Sequence, residues 1–138
     1  MSFPFVKVCR SLLFAACFLC SIPYPARSQS VPVPRIIHLD MGAAKSSDIF
    51  KGPPETVTMR SGYVVLPPSK SVGKHTTGRN EEVLLVLQGT GELRITGNET
   101  LKIHQHCVTY CPPMAEHDVV NTGQDTLRYI WLVARAQH

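Results

Sequence analysis

Two stretches of this 138-residue sequence carry the side chains best suited to chemistry. The first runs Gly73-Lys74-His75-Thr76-Thr77-Gly78-Arg79-Asn80-Glu81-Glu82 and continues through an aliphatic run to Gly89-Thr90-Gly91. The second is Cys111-Pro112-Pro113-Met114-Ala115-Glu116-His117-Asp118-Val119-Val120-Asn121. Imidazoles and carboxylates are metal-ligand types, and His also carries protons near neutral pH. Each residue has a plainer reading. His75 alone is a polar loop residue, and His117 is a ring hydrogen-bonded to the backbone of a turn. Glu82 with Glu81 is a solvated pair where a strand begins. Side chains alternate along a strand, so only one of Glu81 and Glu82 points inward. Glu81 takes that place if the preceding loop is one residue shorter.

Other groups carry less. His104 and His106 form the only literal His-x-His, but a bare pair lacks the third ligand a metal site needs, and they read as a surface or rim feature. Cys107 and Cys111 on one strand would have Cα atoms roughly 13 Å apart at ~3.3 Å per residue, beyond the ~7 Å reach of a disulfide. They are expected as free or buried thiols. Lys74 and Arg79 flank the first stretch and would meet an anionic substrate at a cavity mouth, or simply be solvated. Asn121 reads as a turn residue. Tyr63, Tyr110, Tyr129 and Trp131 read as core or pocket-wall aromatics. The sequence contains no Gly-rich phosphate loop, no G-x-S-x-G elbow and no basic recognition helix.

A His just before one strand, a Glu entering the next and a His after a proline turn converge only if the sheet closes on itself, as in a barrel. The rest of the chain fits this. Val57–Arg60, Tyr63–Leu66, Glu82–Leu87, Gly91–Thr96, Leu101–Ile103, Cys107–Cys111, Val119–Val120 and Leu127–Val133 are short apolar, β-branched or alternating runs stopped by Gly or Pro. That is about eight strands at roughly 8–12-residue spacing, the pattern of an all-β sandwich or barrel. Upstream, Ile36–Leu39 is expected as a first short strand and Ala43–Phe50 as a helical turn ended by Gly52-Pro53-Pro54.

The two stretches resemble the paired motifs of the cupin superfamily. The first motif reads G, five residues, H-x-H, three or four residues, E, six residues, G. His75, Glu82 and Gly89 match it. The second reads G, five residues, P-x-G, two residues, H, three residues, N. Pro112, His117 and Asn121 match it. Motifs and intervening strands span residues 69–121. Thr77 stands where the second motif His would be, and Ser69, His106 and Met114 stand where the motifs have Gly. The resemblance implies a single jelly-roll (double-stranded β-helix) barrel over residues 56–138. It also implies a divalent metal held by His75, Glu82 and His117, with substrate or water near Thr77. Two imidazoles and a carboxylate suit non-haem iron with open positions, and with water they suit zinc. Fe, Mn, Ni and Zn are not distinguished by the ligand set. The function implied is small-molecule chemistry of dioxygenase or isomerase type, or non-catalytic binding of a sugar or other small ligand at a degenerate site. Pairing of two copies through sheet edges is a further expectation, since exposed edges need cover.

Residues 1–28 read as a secretory signal peptide. Lys7 and Arg10 precede the apolar stretch Ser11–Ile22, Pro23 and Pro25 close it, and Ala26-Arg27-Ser28 offers small residues for cleavage before Gln29. The apolar stretch falls short of the ~20 residues of a membrane span. Lipidation at Cys17 is the alternative, with Phe14 a poor fit to such a site. Residues 29–55 then form a lead-in. The formal charge of +4 includes Lys7, Arg10 and Arg27, so cleavage leaves a nearly neutral domain. Such a domain has no electrostatic reason to bind nucleic acid or an anionic membrane, and an exported small-molecule protein is expected.

Overall fold

A computed structural model describes residues 31–136 of the chain. The expected leader and its cleavage point lie outside these residues. Nine strands follow one another: β1 (Ser47–Phe50), β2 (Arg60–Leu66), β3 (His75–Thr76), β4 (Asn80–Gln88), β5 (Thr90–Ile95), β6 (Leu101–His104), β7 (Val108–Cys111), β8 (Glu116–Val120) and β9 (Leu127–Arg135). Two antiparallel sheets face each other, one in the order β1-β2-β9-β4-β7 and the other β3-β8-β5-β6. This is the expected all-β jelly-roll barrel. No helix among the described residues is long and apolar enough to cross a membrane.

Alternation determines which side chains fill the barrel. On β9, Leu127, Tyr129 and Val133 are buried, and Trp131 packs against the same cluster. On β4, Glu82, Leu84 and Val86 are buried while Leu85 is exposed. The opposite sheet contributes Leu93, Ile95, Ile103 and Val119. Complete burial of a side chain such as Leu93 or Leu127 stabilises by about 1.5–3 kcal/mol. Gly89, at φ 84°, turns the chain from β4 into β5. A Cβ there would come within 2.8 Å of the Thr126 carbonyl oxygen, so this motif glycine answers both a left-handed backbone and a close approach.

Upstream, two expectations are corrected. Ile36–Leu39 belongs to no strand, and Ile36 and Ile37 are exposed. The expected helical turn over Ala43–Phe50 instead contains strand β1, whose Ser47 and Asp48 pair with Tyr63 and Gly62 of β2. Cross-strand pairing with the barrel outweighs the weak local preference of a short polar segment. The run Val57–Arg60 contributes only Arg60 to a strand. Among the aromatics, Tyr110 is 53% exposed and lies outside the core, beside Ile95 and Leu101 in a shallow surface pocket. Cys107 and Cys111 are free thiols, the second buried, as expected.

The three motif positions that lack glycine keep the glycine conformation. Ser69, His106 and Met114 have φ of 62°, 69° and 64°. A left-handed backbone disfavours an L-residue by roughly 1–2 kcal/mol, partly offset because glycine gains freedom in the unfolded chain. All three are exposed, so little packing is lost on truncation. Each change to Gly is expected to raise stability by about 0.5–1 kcal/mol, read as a higher denaturant midpoint with an unchanged slope.

Candidate metal centre

The two sheets meet in one side-chain cluster. His75 on β3 and His117 on β8 are direct cross-strand partners, with ring centroids 4.4 Å apart. Glu82 enters from β4 in the facing sheet. One ligand atom from each of His75, Glu82 and His117 lies within 4.8 Å of the others. Glu81 points outward, where it accepts a 3.2 Å hydrogen bond from the Tyr110 hydroxyl. Glu82 therefore takes the inward place that alternation left open between them. His104 and His106 are exposed and stand apart from the cluster.

Hydrogen bonds orient both rings. His75 Nδ1 lies 2.9 Å from the Gly73 carbonyl oxygen, and His117 Nδ1 lies 3.1 Å from that of Ala115. Each ring turns its Nδ1 to a backbone carbonyl. His117 Nε2 and Glu82 Oε2 are buried 3.0 Å apart, with no other hydrogen-bond partner. One proton shared between them makes a hydrogen bond, and without it they are two opposed acceptors. Facing lone pairs repel, and buried polar atoms left unpaired destabilise by about 1–3 kcal/mol each. A cation between them removes the conflict. The donor set thus fits a divalent metal.

Surrounding groups reinforce this. Burial raises the Glu82 pKa, opposed by the charges of His117 and His75 and by the His117 contact. The Cys111 sulfur sits 3.2 Å from His117 Nδ1. Burial, and then the Glu82 charge, push its thiol up to about 11, so it stays neutral and does not compete as a thiolate. The loop bearing His75 is fixed from outside the barrel. The Asp118 carboxylate accepts hydrogen bonds from the Ser71 hydroxyl at 2.7 Å and from Gly73 N–H at 3.0 Å, and Gly73 in turn holds His75. The sequence reading missed this role of Asp118. Its signal was a polar residue directly after a candidate ligand on the opposite strand face.

A cavity of about 360 Å3 opens beside the cluster, lined by His75, Thr77 and Glu82 and walled by valines, Tyr129 and Trp131. The Trp131 indole lies on Gly62, where a Cβ would come 2.5 Å from Nε1. Burial, then the charges of Glu82 and Asp118, push the Tyr129 phenol well above its ordinary range, so it remains a neutral hydroxyl. Thr77 lines the cavity, but its hydroxyl donates to the Asn80 carbonyl at 3.0 Å. Lys74 is engaged with Glu116 at 3.5 Å, and neither Lys74 nor Arg79 lines the cavity. Asn121 is a buried turn clamp, as expected, bonded to Leu66, Gly123 and Asp125.

Residues 62–133 match the family model described as "Cupin domain". Among solved structures, a cupin 2 conserved barrel domain protein from Salinispora arenicola is similar at 22% identity and TM-score 0.61, covering 75% of this chain and 91% of that one. The cupin domain of Schizosaccharomyces pombe Cnp3 aligns at 18% identity and TM-score 0.63, over 74% of this chain and 76% of that one. A Bacillus halodurans protein aligns at 18% identity and TM-score 0.53, over 58% of this chain and 64% of that one, less than two thirds of its length. No curated protein matches the sequence.

Proposed function

The chain belongs to the cupin domain family, and on that premise we propose that it holds one divalent metal through His75, Glu82 and His117 and acts on or binds a small organic molecule in the adjoining cavity. The observation that carries this reading is the convergence of His75, Glu82 and His117 ligand atoms within 4.8 Å of one another, with His117 Nε2 and Glu82 Oε2 buried and without any partner beyond each other. A divalent ion bound there supplies Lewis-acid or redox chemistry to an oxygen-bearing ligand. Backbone carbonyls beside their Nδ1 atoms orient the His75 and His117 rings. Glu82 supplies the one negative charge. The cavity walls are largely apolar, and the un-ionised Tyr129 phenol is a hydrogen-bond donor for a ligand oxygen. Elemental analysis of protein purified without a His tag tests the reading. One equivalent of metal in wild type, lost in a His75→Ala/His117→Ala double variant, is expected. Metal-free wild type, or unchanged metal in the double variant, contradicts it.

One observation favours a second reading, a non-catalytic binding protein. Thr77 stands at the place of a ligand His in the cupin motif, and its hydroxyl proton is committed to Asn80. A metal-free barrel that carries a small molecule through native mass spectrometry supports that alternative.

We extend the proposal to location. Expressed in full in a bacterial host, the protein is expected in the periplasmic fraction with Gln29 as its first residue. Intact mass spectrometry that finds an uncleaved chain, or one lipidated at Cys17, contradicts the export reading.

A further inference from the structure

The inner face of the larger sheet carries a cation that the metal site does not use. Register places Arg60 of β2 opposite Val133 of β9, Val133 opposite Glu82 of β4, and Glu82 opposite Cys111 of β7. Direct cross-strand partners share a face, so Arg60 points to the same side of the sheet as Glu82. Its Cα is two strand spacings away, roughly 9–10 Å. Arg60, itself exposed to solvent, lines the cavity that His75 and Glu82 also line. Its stem packs on Gly52, where a Cβ would come 3.2 Å from Arg60 Cγ. The absence of a side chain at Gly52 leaves room for it.

Arg60 has no carboxylate partner among the described residues, whereas Arg35, Lys74 and Arg94 each have one. The only carboxylate lining the cavity is Glu82, and it faces His117. With a divalent ion in place, the cavity is net positive. Its walls between the two poles are apolar: Val64, Val72, Val119 and Trp131. The volume, about 360 Å3, is at the small end of the ~300–1,000 Å3 range of ligand pockets. A guanidinium is the side chain best shaped to grip a carboxylate through two parallel N–H donors.

We infer that the ligand is a small organic acid with an apolar, branched or aromatic body, its carboxylate held by Arg60 and its other end turned toward the His75–Glu82–His117 cluster. This rests on the proposed function for the orientation of that second end. The anion grip itself belongs to Arg60 alone, so it persists when metal is removed.

The test is equilibrium binding, by calorimetry or ligand-observed NMR, of three acids (isovalerate, benzoate and 3-phenylpropionate) against their primary amides. Wild type, Arg60→Lys and Arg60→Ala are compared, each metal-loaded and each stripped with a chelator. At least one acid is expected to bind wild type tenfold or more tightly than its amide, in both loaded and stripped protein. Arg60→Ala removes the preference, Arg60→Lys keeps part of it, and both variants keep the wild-type metal affinity. If no acid binds at millimolar concentration, or if acid and amide bind alike, the inference is overturned. It is also overturned if Arg60→Ala discriminates as wild type does. Failure of the metal reading gives a different result: no metal effect anywhere, with the acid preference and its dependence on Arg60 intact.

Discussion

Replacing Glu82 with Gln lowers affinity for a divalent cation by more than about a hundredfold, and the same change at Glu81 leaves it within about twofold. Loss of groups that merely orient a metal ligand weakens binding 10–100-fold, so removal of the sole anionic ligand exceeds that range. Glu81 is the internal control, because it is adjacent in sequence but points out toward Tyr110. The same Glu82→Gln variant is expected to be more stable than wild type when both are metal-free, by about 1 kcal/mol. In wild type with a neutral His117 and an ionised Glu82, two buried acceptors oppose each other at 3.0 Å. The amide of Gln offers an N–H to His117 Nε2 and turns that conflict into a hydrogen bond. Opposite signs for metal affinity and metal-free stability mark residues placed for function rather than for folding. Isothermal titration on stripped protein reads the first effect, and chemical denaturation reads the second. A stripped Glu82→Gln protein less stable than wild type contradicts this, since it means a protonated His117 already satisfies the carboxylate.

Asn121→Ala is expected to destabilise the domain by about 3 kcal/mol or more and to leave the metal affinity of the folded protein within a few-fold. Asn121 is 1% exposed. Its side-chain amide donates to the Leu66 and Asp125 carbonyls at 2.8 and 2.9 Å, and its carbonyl accepts from Gly123 N–H at 2.9 Å. Truncation strands the buried Leu66 carbonyl at about 1–3 kcal/mol and loses two part-buried bonds, to Asp125 and from Gly123, at about 1 kcal/mol each. Against a total stability of about 5–15 kcal/mol for a domain, that is a large fraction. Leu66 ends β2 and Asn121 follows β8, so the side chain joins the two sheets at one end of the barrel. His117 lies four residues earlier, roughly 13 Å along the strand direction, so the clamp and the cluster are separate. Thermal melting is expected to fall by roughly 10 °C or more. A variant that melts like wild type while losing metal contradicts a structural role for Asn121.

How much of this was legible beforehand follows from where each residue's conformation is decided. The barrel strands were readable because alternation in β4, β5 and β9 is written in adjacent residues, and barrel burial only ratifies it. The cluster was readable because His75, Glu82 and His117 keep a family spacing. β1 was not. Ser47-Asp48-Ile49-Phe50 is a strand only because β2 is beside it, and pairing partners are absent from a local pattern. Ile36–Leu39 failed for the complementary reason: an apolar run becomes a strand only if it finds a partner, and this one stays exposed. The turn glycines teach a related lesson. Ser69, His106 and Met114 replace glycine without changing the turn, because the surrounding barrel over-determines the backbone. Lys74 and Arg79 drew notice as cations for an anionic substrate, or as merely solvated charges, because they are near His75 in sequence, and neither lines the cavity. Arg60 is nearer the cavity in space, through a register of three strands. Its one local signal was the alternation Arg60-x-Gly62-x-Val64-x-Leu66, which puts it on the inner face.

The central claim is that two histidines and one glutamate, converging across the barrel, form a metal site. The most direct measurement is thermal melting of chelator-stripped, untagged protein, with and without added Fe2+, Mn2+, Ni2+ or Zn2+, alongside Glu82→Gln. Binding to the folded state alone contributes about 2.7 kcal/mol at a hundredfold excess over Kd, a shift of roughly 10 °C for a domain of this size. The account predicts that shift in wild type with at least one of the four ions and its absence in Glu82→Gln. Wild-type protein that melts at the same temperature with every ion, or a variant that shifts as far as wild type, contradicts it.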